Sequence, residues 1–394
     1  MARALESTFF FFLLAFAIFA SISVAFSETA LGLATFFWLI GFAHPALRRP
    51  ERWEGIRACA PLLVPLLAWV LCYLVAAWFA EDRSGSVAKL SKLAVLAVVP
   101  LVAMMVRTPK RLAFVLGALL VGGIVTSVYG FVTLPNRANG RLTGYVAFYM
   151  TTAGLLLQLT LVGTAILAAL PKRSALFRLA LLAVPVLAIA LLLTYTRGAW
   201  IGAVAGLTAI FIARFPRLFY IPVILAILAN VVPGPVRDTA RSAWDLNHPR
   251  NRERLFMYEA GARIFRDHPV TGIGLTGMKE KYLAYRDPAA KEHAVHLHSV
   301  PVHLAASMGS VGIVGWFVTF GGILIWLVRS FRRRAHAPPV VRGALLGVIA
   351  VWAGFVVNGL FEWNLGDVEV ITLFWTMIGL ATAASIMTES QDQN

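Results

Sequence analysis

The sequence predicts an all-α, polytopic integral membrane protein with about twelve transmembrane helices and one long, helical polar loop. Three observations predict it. Of 394 residues, 59% are apolar and only 14% charged, where soluble domains are nearer a quarter charged. The apolar residues come in runs about 17–25 long, the length that crosses a bilayer as a helix. The runs are also continuous, without the alternation of β-barrel strands, and a helix satisfies its backbone polar groups within one segment of hydrocarbon.

Taken in order, the runs are 7–26, 28–44, 59–80, 90–107, 111–133, 144–170, 176–195, 198–214, 217–232, 309–328, 340–361 and 366–387. The second, eighth and ninth are short. The first begins at Ser7 with only Arg3 as a basic residue ahead of it, and it is too long for the apolar core of a cleaved signal peptide. It reads as an uncleaved span. With the N-terminus inside, the cytoplasmic segments hold 18 basic residues, Arg48, Arg49, Arg107, Arg111, Arg332, Arg333 and Arg334 among them. The short outside loops hold 6, including Arg83, Lys92, Arg141 and Arg197. That asymmetry fixes the orientation, both termini cytoplasmic, and it accounts for the formal charge of +16 through topology, with no nucleic-acid partner. Cys59 and Cys72 stand thirteen residues apart on one helix, roughly 20 Å, too far for a mutual disulfide.

Three regions follow: 1–232 with nine spans, the loop 233–308, and 309–394 with three spans and a short cytoplasmic tail. The loop, on the outside, is the one long polar segment. It holds six of the eight histidines (His248, His268, His293, His296, His298 and His303) and a dense arginine series. A membrane protein that gathers its polar residues in one loop works there. Apolar spacing at Leu255, Tyr258, Ala262 and Phe265 predicts a helix over 251–265, ended by the Pro and Gly of Asp267-His-Pro-Val-Thr-Gly-Ile-Gly274, and a second helix covers 276–285. Ser299 and Pro301 suit an N-cap and first turn, so a third helix runs on into the tenth span with His298 just before its start.

Arg197 and Arg254 fit the anions of a lipid-linked substrate, because a guanidinium fork matches phosphate oxygens. The structural alternatives are snorkelling for Arg197 and an ion pair with Glu253 or Glu259 for Arg254. His298 suits a general base, since imidazole titrates near neutrality. A metal site among His293, His296, His298 and His303 is the rival: His293 and His296 could share a helical face, but Pro301 interrupts the run and no Cys or acid stands at a zinc spacing. Asp367-Val-Glu369 is the one acidic pair of sugar-transferase appearance on an outside loop. No P-loop, dinucleotide fingerprint or nucleophile elbow is present.

Thr196-Arg197-Gly198-Ala199-Trp200, then Arg254-Leu-Phe-Met-Tyr258, Arg266-Asp-His-Pro-Val-Thr-Gly-Ile-Gly274, and His298-Ser299 with Leu304 and Gly309 together resemble the O-antigen ligase/polymerase superfamily over about residues 190–330. The commoner family form has Asn at Ser299 and Trp at Tyr258. The resemblance implies a GT-C-like, inverting glycosyltransferase that needs no metal or other cofactor. It would move O-antigen polysaccharide from undecaprenyl pyrophosphate, the donor, to lipid A–core oligosaccharide, the acceptor, at the periplasmic face of a Gram-negative inner membrane. It implies His298 as the base and Arg197 and Arg254 as pyrophosphate ligands. A polymerase or protein O-oligosaccharyltransferase of the same superfamily is the second reading. A lipid-linked glycan transporter is the third; its spans would carry charges at mid-depth, and these are nearly free of them.

Overall fold

A computed structural model describes residues 2–43, 51–137, 140–146, 148–228, 230–231 and 234–387. Arg48, Arg49, the ends of the second and ninth runs, Pro233 and the tail from Thr388 lie outside the described residues. Every described regular element is helical. Each of the twelve apolar runs contains a helix: α1 (Ala2–Phe19), α2 (Val24–Ala43), α4 (Leu63–Trp78) after a short α3 (Glu51–Ala58), then α5 (Arg83–Lys89) leading through a 3₁₀ stretch, Leu90–Ala97, into α6 (Val98–Met105). There follow α7 (Pro109–Thr133), α8 (Tyr149–Ala169), α9 (Ala175–Leu193), α10 (Arg197–Arg214) and α11 (Ile221–Leu228). The loop contributes α12 (Pro235–Ser242), α13 (Pro249–Asp267) and α14 (Met278–Tyr285), and the chain closes with α15 (Val300–Arg333), α16 (Pro339–Gly359) and α17 (Val368–Ala384). Seven of these segments are long and apolar enough to cross a membrane, and four more are shorter apolar helices. The protein is a multi-pass membrane protein.

The innermost helix is α8, whose apolar side chains are buried around the whole circumference. A helix that is apolar on all sides has no solvent face to keep. It packs against α9, α10, α16 and α17. Gly202 and Gly206, one turn apart on α10, let that helix touch α16: a Cβ at Gly202 would stand 2.6 Å from the Gly354 carbonyl oxygen, and one at Gly206 2.7 Å from that of Ala350. Small residues at this spacing allow backbones to approach where no hydrophobic effect drives helices together. The contact sets the start of α10 beside the end of α16.

The loop has a small core of its own, made by Met257, Ala260, Ile264, Ile273, Met278, Tyr282, Leu297 and Ala306. Its centre is the start of α15, which is broken at Gly309 (φ 60, ψ −154). The segment after α13 repairs the break: Ile273 and Gly274 N–H donate to the carbonyls of Ala306 and Ser307 (3.1 and 2.9 Å), and Ser310 and Val311 N–H donate to Pro269 and Val270 (2.9 and 3.1 Å). The helix-end groups orphaned by the break are thereby satisfied, which gives the His-Pro-Val-Thr-Gly-Ile-Gly motif a structural purpose. A side chain at Gly309 would meet the Val270 backbone at 2.4 Å in a left-handed conformation.

Because α15 runs from the loop to Arg333, the loop and the Arg332–Arg334 cluster stand at opposite ends of the bundle. In a chain lacking Cys59 and Cys72, cysteines introduced at 250 and 290 should react with an impermeant thiol reagent on spheroplasts, and one at 333 should not. The reverse pattern would invert the orientation read from the basic loops.

Candidate active site

His298 is one of two non-glycine residues with positive φ among the described residues (φ 44); the other is Tyr195 (φ 49). Each such conformation costs on the order of 1 kcal/mol or more and persists where the surroundings enforce it. Both sit at one place, Tyr195 two residues before Arg197 and His298 one residue before the N-cap of α15. At His298 the turn sends the chain directly into α15. Ser299 occupies the N-cap position as expected, but its side chain makes no capping hydrogen bond; the backbone alone starts the helix. The Tyr258 hydroxyl donates to the His298 carbonyl at 3.3 Å, tying this turn to α13.

The imidazole meets Glu362, in the loop between α16 and α17: His298 Nδ1 lies 2.9 Å from Glu362 Oε2. The other oxygen of Glu362 is bonded to Arg254. Only 10% of the Glu362 side chain is exposed, so its charge depends on these partners. Burial opposes its ionisation, but the His298 hydrogen bond and the Arg254 charge outweigh that and hold its pKa below the ordinary carboxylate value. An ionised carboxylate can only accept, so Nδ1 carries the proton and the lone pair of neutral His298 is on Nε2.

Arg254 therefore does not pair with Glu253 or Glu259. Glu259 binds Arg263 at 2.6 Å, one turn away. Glu253 accepts the backbone N–H of Lys291 (3.2 Å) and Glu292 (3.1 Å), fixing the strand-like approach to His298. Arg197 is the first residue of α10, and both terminal nitrogens of its guanidinium donate within the protein, Nη1 to the Ser242 carbonyl (2.7 Å) and Nη2 to Asn251 Oδ1 (2.7 Å). Arg197, Arg254 and Glu362 line one cleft with Arg141, Arg250, Tyr149 and Tyr195. Arg141 lies over the Tyr149 ring, 4.3 Å from its centroid. Four guanidiniums face one carboxylate there, at a helix N-terminus, which is an environment for a phosphate-rich anion.

The structure links His298 to Arg254 through Glu362, which the sequence offered only as an alternative base with Asp367, and sets Arg197, Arg141 and Arg250 in the same cleft as Arg254 and Glu362. The remaining histidines separate from it. Residues 286–299 contain no helix, so His293 and His296 share no helical face. Burial and the neighbouring His298 pull the pKa of His296 down to about 4. His303 is buried against Trp363, ring centroids 3.8 Å apart, and its Nδ1 accepts the Leu297 N–H at 3.4 Å. Asp367 accepts a hydrogen bond from Thr151 (3.0 Å), and burial raises its pKa to about 6. Among the described residues no three of His, Cys, Asp and Glu gather as a metal site.

Residues 179–317 match the family model described as O-antigen ligase. Over this segment, about a third of the chain, the match supports membership of the O-antigen ligase superfamily. The matched stretch contains Arg197, Arg254 and His298 but not Arg141 or Glu362, so the cleft draws on residues before and after the family segment. No curated protein matches the chain.

Proposed function

We propose that the protein is an O-antigen ligase, transferring O-antigen polysaccharide from undecaprenyl pyrophosphate to lipid A–core oligosaccharide at the periplasmic face of the inner membrane. The observation that carries the chemistry is the Arg254–Glu362–His298 chain of contacts at the edge of the arginine cleft. The donor's pyrophosphate lies in the cleft against Arg197, Arg250 and Arg254. His298 Nε2 takes the proton of the acceptor hydroxyl as that oxygen attacks the anomeric carbon. A carbon–oxygen bond forms on the face opposite the leaving group, the sugar–phosphate bond breaks, and the electron pair leaves on undecaprenyl pyrophosphate. The anomeric centre inverts. The free energy is already stored in the sugar–pyrophosphate bond, so the residues need only position two substrates and stabilise the charge that develops on the leaving oxygen.

A deletion strain tests this reading. Loss of the gene should leave lipid A–core without polysaccharide while long polymer accumulates on its carrier lipid. Loss of long polymer itself would point to the polymerase activity of the superfamily.

Two expectations follow for the purified protein. Arg197→Ala and Arg254→Ala should each lose most transfer activity while inserting normally, and lysine should rescue poorly, because it is a point charge where the arginine contact is forked. Full activity in either alanine variant would remove that residue from the site. Transfer should also proceed in excess EDTA, because guanidiniums neutralise the leaving group. Inhibition reversed by Mg²⁺ or Mn²⁺ would instead direct attention to Asp367 and Glu369.

A further inference from the structure

On the ligase reading, two lipid-anchored substrates must reach one histidine. The loop between α16 and α17 touches two separate cavities. Its Glu362 lines the arginine cleft, whereas Leu365 and Gly366 line a cavity of about 350 Å³ that shares no residue with the cleft. Trp69 and Tyr73 of α4, Trp375 of α17 and Lys92 of the 3₁₀ stretch form its other walls. A second cavity, about 420 Å³, continues it: Glu28, Leu31, Ala94 and Val98 line both. The continuation reaches Leu39 on α2 and Leu101 on α6, with apolar side chains along most of its length. Together they form a groove that starts at the level of the catalytic loop and descends the lipid-facing side of the bundle.

We propose that this groove is the docking site of the acceptor, an acylated and phosphorylated glycolipid. The assignment rests on the ligase reading. The donor's charge belongs with the arginines of the other cavity, so its own route lies on that side. At the head of the groove stands Lys92, exposed and without a hydrogen bond or ion pair among the described residues. An ammonium at the rim of an apolar channel, where lipid headgroups meet hydrocarbon, matches a sugar phosphate above acyl chains. Glu28 at the same level disfavours a second phosphate on the α2 side and so orients the headgroup toward Lys92. The aromatic walls at Trp69, Tyr73 and Trp375 are rigid and lose little entropy on contact with acyl chains.

Photo-crosslinking reads the occupant directly. The full-length protein, carrying a benzophenone amino acid in place of Ala94, should yield adducts with lipid A–core on irradiation in cells. The same substitution at Ile212, exposed on α10 and away from the groove, should capture phospholipid only. Phospholipid alone, or carrier-linked glycan, at Ala94 would overturn the assignment. A kinetic arm uses Gly32→Trp, because a Cβ at Gly32 has no atom within 4 Å. In reconstituted ligation it should raise KM for lipid A–core about tenfold and leave KM for the donor unchanged. An unchanged acceptor KM, with the wild type ligating normally, would overturn the groove and leave the ligase reading intact. A wild type that only lengthens carrier-linked glycan would instead remove the ligase reading, and the Ala94 adduct then decides the occupant alone.

Discussion

Replacing His298 with alanine is expected to lower glycan transfer by about 10²–10⁴-fold, the usual contribution of a positioned general base, while the donor still binds. The expectation follows from geometry. The proton on Nδ1 is committed to Glu362, so Nε2 is the basic atom, and the arginines that hold the pyrophosphate do not contact the imidazole. His293→Ala is the better control, because His293 is exposed. His303→Ala is a poor one, since it removes a ring packed on Trp363. His296 is a poor substitute base, because its pKa is pulled down to about 4. Wild-type transfer by His298→Ala, or a defect explained wholly by weaker donor binding, would exclude the general-base role.

Glu362→Gln is the second large effect. The amide keeps the size of the side chain but removes the charge that holds the imidazole tautomer and partners Arg254. Loss of an orienting carboxylate behind a catalytic histidine costs up to about 10⁴-fold in the serine proteases, and a fall in kcat of about 10²–10⁴-fold is expected here. Donor binding should hold or tighten, because the carboxylate competes with the pyrophosphate for Arg254. That split between kcat and KM separates an orienting role from general damage to the fold. The carboxylate also sets an acid limit. Its folded pKa lies below the ordinary value, so its contribution is complete above that ordinary value and is lost as pH falls through the depressed one. Acid inactivation nearer neutrality therefore reports another group. A variant whose kcat stays near that of the wild type would show that His298 needs no carboxylate.

The apolar runs and the loop helices were legible in the sequence, as were Arg197, Arg254 and His298 as candidate residues. Run length and charge placement are local properties, and the arginines and histidine fall within motifs that survive in a one-dimensional reading. Glu362 was visible as an acidic residue on a short loop, but nothing in its neighbourhood says that it closes a contact 64 residues back to His298 and 108 residues back to Arg254. Arg141 was counted only as a loop charge for the same reason. The glycines at 198, 202 and 206 were a readable signal of a tight helix pair, and they determine how the start of α10 meets the Glu362 loop. The His293–His296 helical face that the rival metal reading needed does not form; Glu253 accepts the Lys291 and Glu292 N–H in that stretch, a long-range contact that helical periodicity does not anticipate.

The break at Gly309 has a practical corollary. The first nine residues of α15 serve two cores at once: Ala306 packs in the core of the loop, whereas Val300, Leu304 and Met308 pack in the core of the bundle. In a transplant of acceptor or donor preference between relatives, a seam at Gly309 therefore has to carry the bundle partners of those three side chains with it. A seam at the start of α15 would cut through the graft's own interior and leave His298 on one parent and its supporting turn on the other.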